Sequence, residues 1–352
     1  MNLLITLDYE LFGDGSGDVF THMINPTNQI LKACAEFDIK LTIFVEIIEY
    51  LKLKEQWEDD NTMGYSKNPI KAIKNQIRAA AEAGHDIQLH IHPQWINAKY
   101  LNDKWHVDFS NWRLGSFKTT NGFGISELIA LGKTELEKIV TLVDKDYKCI
   151  AIRAGGYNIM PSTDVYKTIE KLGMKVDSSI YSGGIENGKL SSYDYSSISN
   201  NIDYWWADKN DIRNASKDKQ ILEIPIFAMQ IPRWKKFFTI EKVLSIINQK
   251  KGSVSALTKE KTKNISFAQK VKYLIQKEST PWDICVCSRS LNKHFFKMAE
   301  NTLSTKRQNI VVVGHPKSLS NKNTFENFLE INIQRKQPFK FKTIKELYDE
   351  VR

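Results

Sequence analysis

The sequence predicts an α/β protein built on a parallel sheet. Two observations carry this expectation. Short apolar runs alternate with amphipathic segments along most of the 352 residues, and parallel neighbours need such crossovers. Charged and imidazole side chains also gather where the apolar runs stop, the edge at which parallel α/β folds build their sites.

The elements follow in order. LLITL (3–7) reads as a strand. NPTNQILKACAEF (25–37) reads as a helix, opened by Asn and Pro and carrying apolar residues at helical spacing. LTIFVE (41–46) is a strand, PIKAIKNQIRAAAEAG (69–84) a helix stopped by Gly84, and DIQLHIH (86–92) a strand. GISELIALGKTELEKIVTLV (124–143) is helical and CIAIRAG (149–155) extended. STDVYKTIEKLG (162–173) is a helix with a Ser or Thr start and a Gly stop, followed by the short strand MKVDSS (174–179). ILEIPIF (221–227) and IVVVGH (310–315) are the last strands, and a helix follows Thr343. Segments 56–68, 95–123 and 182–220 read as long loops, a length that usually signals function. Two architectures fit, a (β/α) barrel and an open doubly wound sheet. No G-x-G-x-x-G follows a strand, which disfavours the dinucleotide-binding form of the open sheet.

The net charge of +9 is unevenly placed. Between Arg233 and Leu274 stand one arginine and ten lysines against Glu241 and Glu260, which accounts for all of it. Such a patch suits an anionic partner: a phosphate-bearing substrate or an anionic membrane surface. No recognisable nucleic-acid module accompanies it, so nucleic acid is not expected. Cys34, Cys149, Cys285 and Cys287 lack a C-x-x-C spacing and are expected to be buried free thiols. There is no apolar run of 18 residues, and MNLLITLDYELFG reads as a strand without a basic leader. That favours a cytoplasmic protein, peripheral to a membrane if the basic patch meets one.

Five strand ends carry unusual polar residues: Asp8 and Glu10, His90 and His92, Arg153, Asp177, and His315. Residues two apart on an extended chain point the same way, so Asp8 pairs with Glu10 and His90 with His92. A carboxylate and two imidazoles on one face make a plausible shell for a divalent metal with an open position. His85 precedes its strand and is expected to be structural. Trp95, Trp112, Trp205 and Trp206 lie in the long loops, where aromatic rings suit sugar stacking.

The order LDYE, TIFVE, GHDIQLHIHP, IRAGGY, VDSS, VVVGHPKS resembles the polysaccharide deacetylases of carbohydrate esterase family 4. The resemblance implies a distorted (β/α) barrel of about seven strands, here one domain over 1–352 with 233–308 as a basic, mostly helical insertion before the last strands. It implies metal-dependent removal of an acyl group, N-acetyl above all, from a sugar, usually with zinc. Asp8 would be the catalytic base, with Glu10, His90 and His92 on the metal. The family's second motif is H-x-x-x-H, whereas Gln94 stands four residues after His90; His92 or Gln94 would complete the site. Arg153 would orient the base, and Tyr157 would lie in the loop that binds the oxyanion. Asp177 and His315 would form the general acid pair. Trp95 and Trp205 are candidate substrate platforms. The expected substrate is a nucleotide- or lipid-linked precursor in surface-glycan biosynthesis. Two alternatives stand: hydrolysis of another small amide, such as an N-formyl group or a cyclic ureide, and an inactive relative that binds glycan.

Overall fold

The computed structural model describes residues 1–118, 121–234, 273–303, 308–319 and 323–352. One sheet holds nine strands. In chain order they are β1 (Asn2–Tyr9), β2 (Thr42–Glu46), β3 (Asp86–Ile91), β4 (Ala151–Ala154), β5 (Val176–Asp177), β6 (Trp205–Trp206), β7 (Leu222–Glu223), β8 (Asn309–Gly314) and β9 (Lys340–Lys342). Their spatial order is β6-β7-β5-β4-β3-β2-β1-β8, with β9 beside the N-terminal half of β1. Every ladder is parallel except β6 against β7. All seven expected strands are present, and β6 and β9 are short additions.

The sheet curls until it meets itself. Ile226, just past β7, bridges both Tyr181 and Val311 in parallel fashion, and the Phe227 amide donates to the Val311 carbonyl at 2.9 Å. Irregular bridges therefore close the ring, which makes this the distorted barrel and excludes the open sheet. Leu3, Leu4, Ile5 and Leu7 of β1, and Ile310 to Val313 of β8, are buried, as strands covered on both sides require.

Helices pack outside the ring: α1 (Asn25–Glu36), α2 (Ile47–Glu58), α3 (Pro69–Glu82), α4 (Ile125–Val140), α5 (Thr163–Lys171), α6 (Arg289–Leu303), α7 (Asn323–Ile333) and α8 (Ile344–Val351). Asn68 caps α3 by accepting from the Lys71 amide, and Ile70, Ile73 and Ile77 form its buried stripe. The helix α2 overlaps a segment expected as loop. Its cap is a buried glutamate at the end of a strand: Glu46 accepts from the amides of Ile48 (3.0 Å) and Glu49 (3.2 Å).

Within the expected insertion, 235–272 lies outside the described residues, so the basic patch has no structural account. A hairpin pairs Ala228–Pro232 with Lys277–Pro281. The chain then runs alongside β8, where Asp283 bridges Val313 and the Ile284 amide donates to the Val313 carbonyl at 2.9 Å. Among the described residues, no helix is long and apolar enough to cross a membrane. All four cysteines are buried and free, as expected.

Candidate active site

Register brings the polar strand ends together. Glu46, His90 and Arg153 are direct partners across β2, β3 and β4. Asp8 lies at the end of β1 opposite Phe44, and Glu10 follows it. His315 follows β8, which pairs with β1. Six of the seven predicted strand-end residues therefore meet at one mouth of the ring.

Arg153 is fully buried. Its Nη1 donates to Asp8 Oδ1 at 2.6 Å and Thr6 Oγ1 at 2.9 Å. Its Nε donates to the Ser178 carbonyl at 2.9 Å and its Nη2 to Ser178 Oγ at 3.1 Å. The guanidinium lies 4.2 Å from the centre of the Phe44 ring. Burial alone would raise the Asp8 pKa; Arg153, His90 and His315 outweigh it and bring it below the ordinary value. Asp8 is thus an ionised carboxylate in a dry setting.

Beside it stand Glu10, His90 and His92, all buried. His90 Nδ1 lies 2.9 Å from the Arg153 carbonyl, which can only accept, so the ring proton sits on Nδ1. That leaves His90 Nε2 aimed inward, buried and without a hydrogen-bond partner, 3.5 Å from Glu10 Oε2. His92 Nε2 is 2.7 Å from the same oxygen. Burial lowers the His92 pKa, and the opposing pull of Glu10 does not restore it. Burial also works against Glu10 ionisation, but Lys317, His92 and His90 outweigh it and hold its pKa well below normal.

One ligand atom from each of Glu10, His90 and His92 lies within 4.8 Å of the others. The orphaned His90 Nε2, a second imidazole and an ionised carboxylate suit a borderline cation such as zinc. The chain therefore fits the metal that its sequence implies. Of the two candidates His92 and Gln94, His92 offers a ring nitrogen to this cluster. The Gln94 amide sits behind His92, with Nε2 2.9 Å from His92 Nδ1 and 3.3 Å from the Gly13 carbonyl. Gln94 Oε1 is buried and unpaired. Turning the amide over would let Oε1 accept from a protonated Nδ1 and leave His92 Nε2 bare for a cation. Gly155 is needed here, because a Cβ on it would be driven into the His92 ring.

The acid pair differs from expectation. His315 Nδ1 pairs with Asp283 Oδ2 at 2.8 Å, while its Nε2 faces Asp8 Oδ2 at 3.5 Å. Burial lowers the His315 pKa, but Asp283 and then Asp8 outweigh it, and the net shift is upward. Asp177 is elsewhere. It lies in β5, between β4 and β7, and its carboxylate accepts from Ser179 Oγ at 2.6 Å and the Ser179 amide at 3.0 Å. Its neighbour across the ladder is the buried Glu223, whose pKa is raised well above normal by burial and by Asp177. Both carboxyls are pushed upward by burial, and the Asp177 carboxylate is held by Ser179, so Asp177 serves the wall of the barrel while His315 takes Asp283.

The aromatic platforms also need correction. Trp95 is buried against Trp105, with centroids 5.3 Å apart, and has no free face. Trp205 is buried at the far edge of the sheet, where its Nε1 donates to the Ile212 carbonyl at 2.8 Å. The tryptophan at the site is Trp112, edge-on to His92 at 5.8 Å with Nε1 donating to Ser191 Oγ. Tyr157 is at the site. It follows Gly156 with φ of +63°, and its ring packs 4.8 Å from that of Tyr181. Asp8 and Asp283 are among the groups acting on its hydroxyl. His85 is structural as expected, accepting from the Leu41 amide at 3.2 Å, with its pKa lowered by burial to about 4.

Sequence reasoning missed Asp283, Glu46 and Lys317. Glu46 accepts from the His92 amide at 2.5 Å and so fixes the backbone of a ligand. Lys317 Nζ donates to Glu10 Oε1 at 2.7 Å and to the Leu11 carbonyl at 2.9 Å. Its signal was the K in GHPKS, a cation two residues past a site histidine.

No family's sequence profile matches the chain, and no curated protein matches it in sequence. Solved structures do match. The crystal structure of Puue allantoinase aligns with 99% of this chain and 89% of its own, at a TM-score of 0.50 and 12% identity. The chain shares the fold of that allantoinase. A polysaccharide deacetylase described as putative, from Mycobacterium smegmatis, gives the same coverage at a TM-score of 0.48 and 12% identity. A probable polysaccharide deacetylase from Pseudomonas aeruginosa PAO1 gives 0.49 and 11%.

Proposed function

We propose that the protein is a metal-dependent hydrolase that removes an acyl group, N-acetyl foremost, from a sugar-containing substrate. It would be a divergent relative of the polysaccharide deacetylases. One observation carries this reading. A carboxylate paired with Arg153 and a histidine paired with Asp283 face each other across 3.5 Å, beside a Glu-His-His ligand set.

Glu10, His90 and His92 would hold the cation, which when bound supplies a Lewis acid that polarises the acyl carbonyl. The chain's own groups do the proton work. Asp8 Oδ2 accepts the proton of the attacking water, while Arg153 keeps that carboxylate ionised and its rotamer fixed. His315 Nε2 then delivers a proton to the departing nitrogen, with Asp283 stabilising the imidazolium. An amine leaves water-ready only when protonated, so a dedicated acid suits an amide more than an ester. Tyr157, whose hydroxyl feels Asp8 and Asp283, would face the substrate.

A cyclic ureide is a second candidate substrate, favoured by the fold shared with an allantoinase. A precursor bearing phosphate would suit the net charge of 235–272. The test is a panel of N-acetyl, O-acetyl and N-formyl amino sugars and cyclic ureides, given to zinc-loaded protein and to Asp8→Asn. The reading expects turnover of an N-acyl sugar that falls by roughly 10²–10⁴-fold in the variant. Sugar binding without hydrolysis of any member would favour the inactive, glycan-binding alternative.

A further inference from the structure

The Lys317–Glu10 pair is not part of the proton work, and three facts make it more than a surface ion pair. It is largely shielded from solvent: the Lys317 side chain keeps 13% of its exposure and Glu10 keeps 4%. It is double: Nζ spans Glu10 Oε1 at 2.7 Å and the Leu11 carbonyl at 2.9 Å, so it ties the carboxylate to the turn that follows β1. It is one-sided: Oε1 is taken by the ammonium, while both imidazoles face Oε2, at 2.7 and 3.5 Å. The backbone on that turn is held from the other direction, because the Leu11 amide donates to both oxygens of Glu49, at 3.0 and 3.2 Å. The ammonium also lies 5.8 Å from the centre of the Phe12 ring.

We propose that Lys317 is a positioning residue that commits Glu10 to a cation through one oxygen and offsets its charge, trading metal affinity for Lewis acidity. This rests on the metal reading above. A zinc carboxylate can bind through one oxygen or two. With Oε1 occupied, only Oε2 faces the imidazoles, and the coordination positions that a second oxygen would fill stay open for substrate and water. The charge argument runs the same way. Carboxylates behind metal-bound histidines raise ligand basicity and affinity. A cation behind a ligand carboxylate does the reverse: it withdraws electron density from Glu10 and repels the metal. The cation then keeps more of its own charge for the carbonyl it polarises.

The test compares wild-type protein with Lys317→Met and Lys317→Arg, each checked for folding by circular dichroism. Zinc affinity is measured by competition with a chromogenic chelator, and cobalt(II)-loaded protein is examined by visible absorption, which reports coordination number. Lys317→Met is expected to bind zinc roughly tenfold or more tightly and to shift the cobalt bands towards higher coordination as Glu10 becomes bidentate. Lys317→Arg, which keeps a cation on Oε1, is expected to stay near wild type in both. If wild type binds metal and Lys317→Met shows the same affinity and spectrum, or weaker binding, the proposal is overturned and the metal reading survives. If wild type binds neither metal, both fall.

Discussion

Replacing Arg153 by Met should strand Asp8, and the cost can be worked from the contacts. The guanidinium is fully buried and makes four hydrogen bonds, one of them to a carboxylate that is itself only 3% exposed. Methionine fills much of the volume but leaves Asp8, Thr6 and Ser178 without that donor. His315, at 3.5 Å, compensates in part. Breaking a buried pair by removing one partner costs about 3–5 kcal/mol. In a chain of this size that is a fall in Tm of roughly 5–15 °C. The pH dependence has a definite sign. In wild type the folded pKa of Asp8 is depressed, so its contribution to stability is present above the unfolded value and lost as pH falls. In Arg153→Met, burial dominates and the folded pKa rises, so protonation at low pH relieves the stranded charge. The deficit relative to wild type is therefore widest near neutral pH and narrows in acid. Guanidinium unfolding followed by circular dichroism, at neutral pH and again near the ordinary aspartate pKa, measures both. Adding Asp8→Asn to Arg153→Met removes the stranded charge and should recover about 2 kcal/mol. A deficit below about 1 kcal/mol, unchanged by Asp8→Asn, would refute the reasoning.

The remaining predictions concern the ligands and the acid. Asp283→Asn removes the larger of the two charges that raise the His315 pKa, so the alkaline limb of kcat should move to lower pH, while Asp177→Asn should leave it in place; a pH-rate profile decides between the two partners. Gln94→Leu takes away the group behind His92 without touching the ligand set, and should weaken zinc by roughly 10–100-fold without abolishing binding, as titration against a chelator will show. Gly155→Ala should displace the His92 ring, lowering stability by about 1–3 kcal/mol and costing metal; thermal unfolding with and without zinc separates the two effects.

Much of the site was legible because its residues stand at strand ends. Apolar runs such as LLITL and IVVVGH announce buried parallel strands, and a polar residue where such a run stops has few places to go but the mouth of the ring. The period of two placed Glu10 beside Asp8 and His92 beside His90, and the resemblance to the deacetylases then singled out Glu10 as the carboxylate ligand and Asp8 as the base. Asp283 escaped because it does not end a strand of its own. It reaches β8 through a single bridge from within a segment that read as an insertion. Asp177 misled for the opposite reason: it ends a strand, but one whose ladder partner is another acid, Glu223. Trp95 and Trp205 failed as platforms because loop position does not reveal burial, and Trp95 packs into the core from within a stretch expected to be loop. The helix α2 was hidden by its cap, a glutamate that the sequence assigns to a strand.

The central claim is that Glu10, His90 and His92 hold a divalent cation. Its most direct test is the metal content of zinc-incubated, desalted protein, measured by mass spectrometry for wild type, His92→Ala and Gln94→Ala. The account predicts about one equivalent in wild type, loss in His92→Ala and at most partial loss in Gln94→Ala. A wild-type protein that carries no zinc, or a His92→Ala protein that carries as much as wild type, would contradict it.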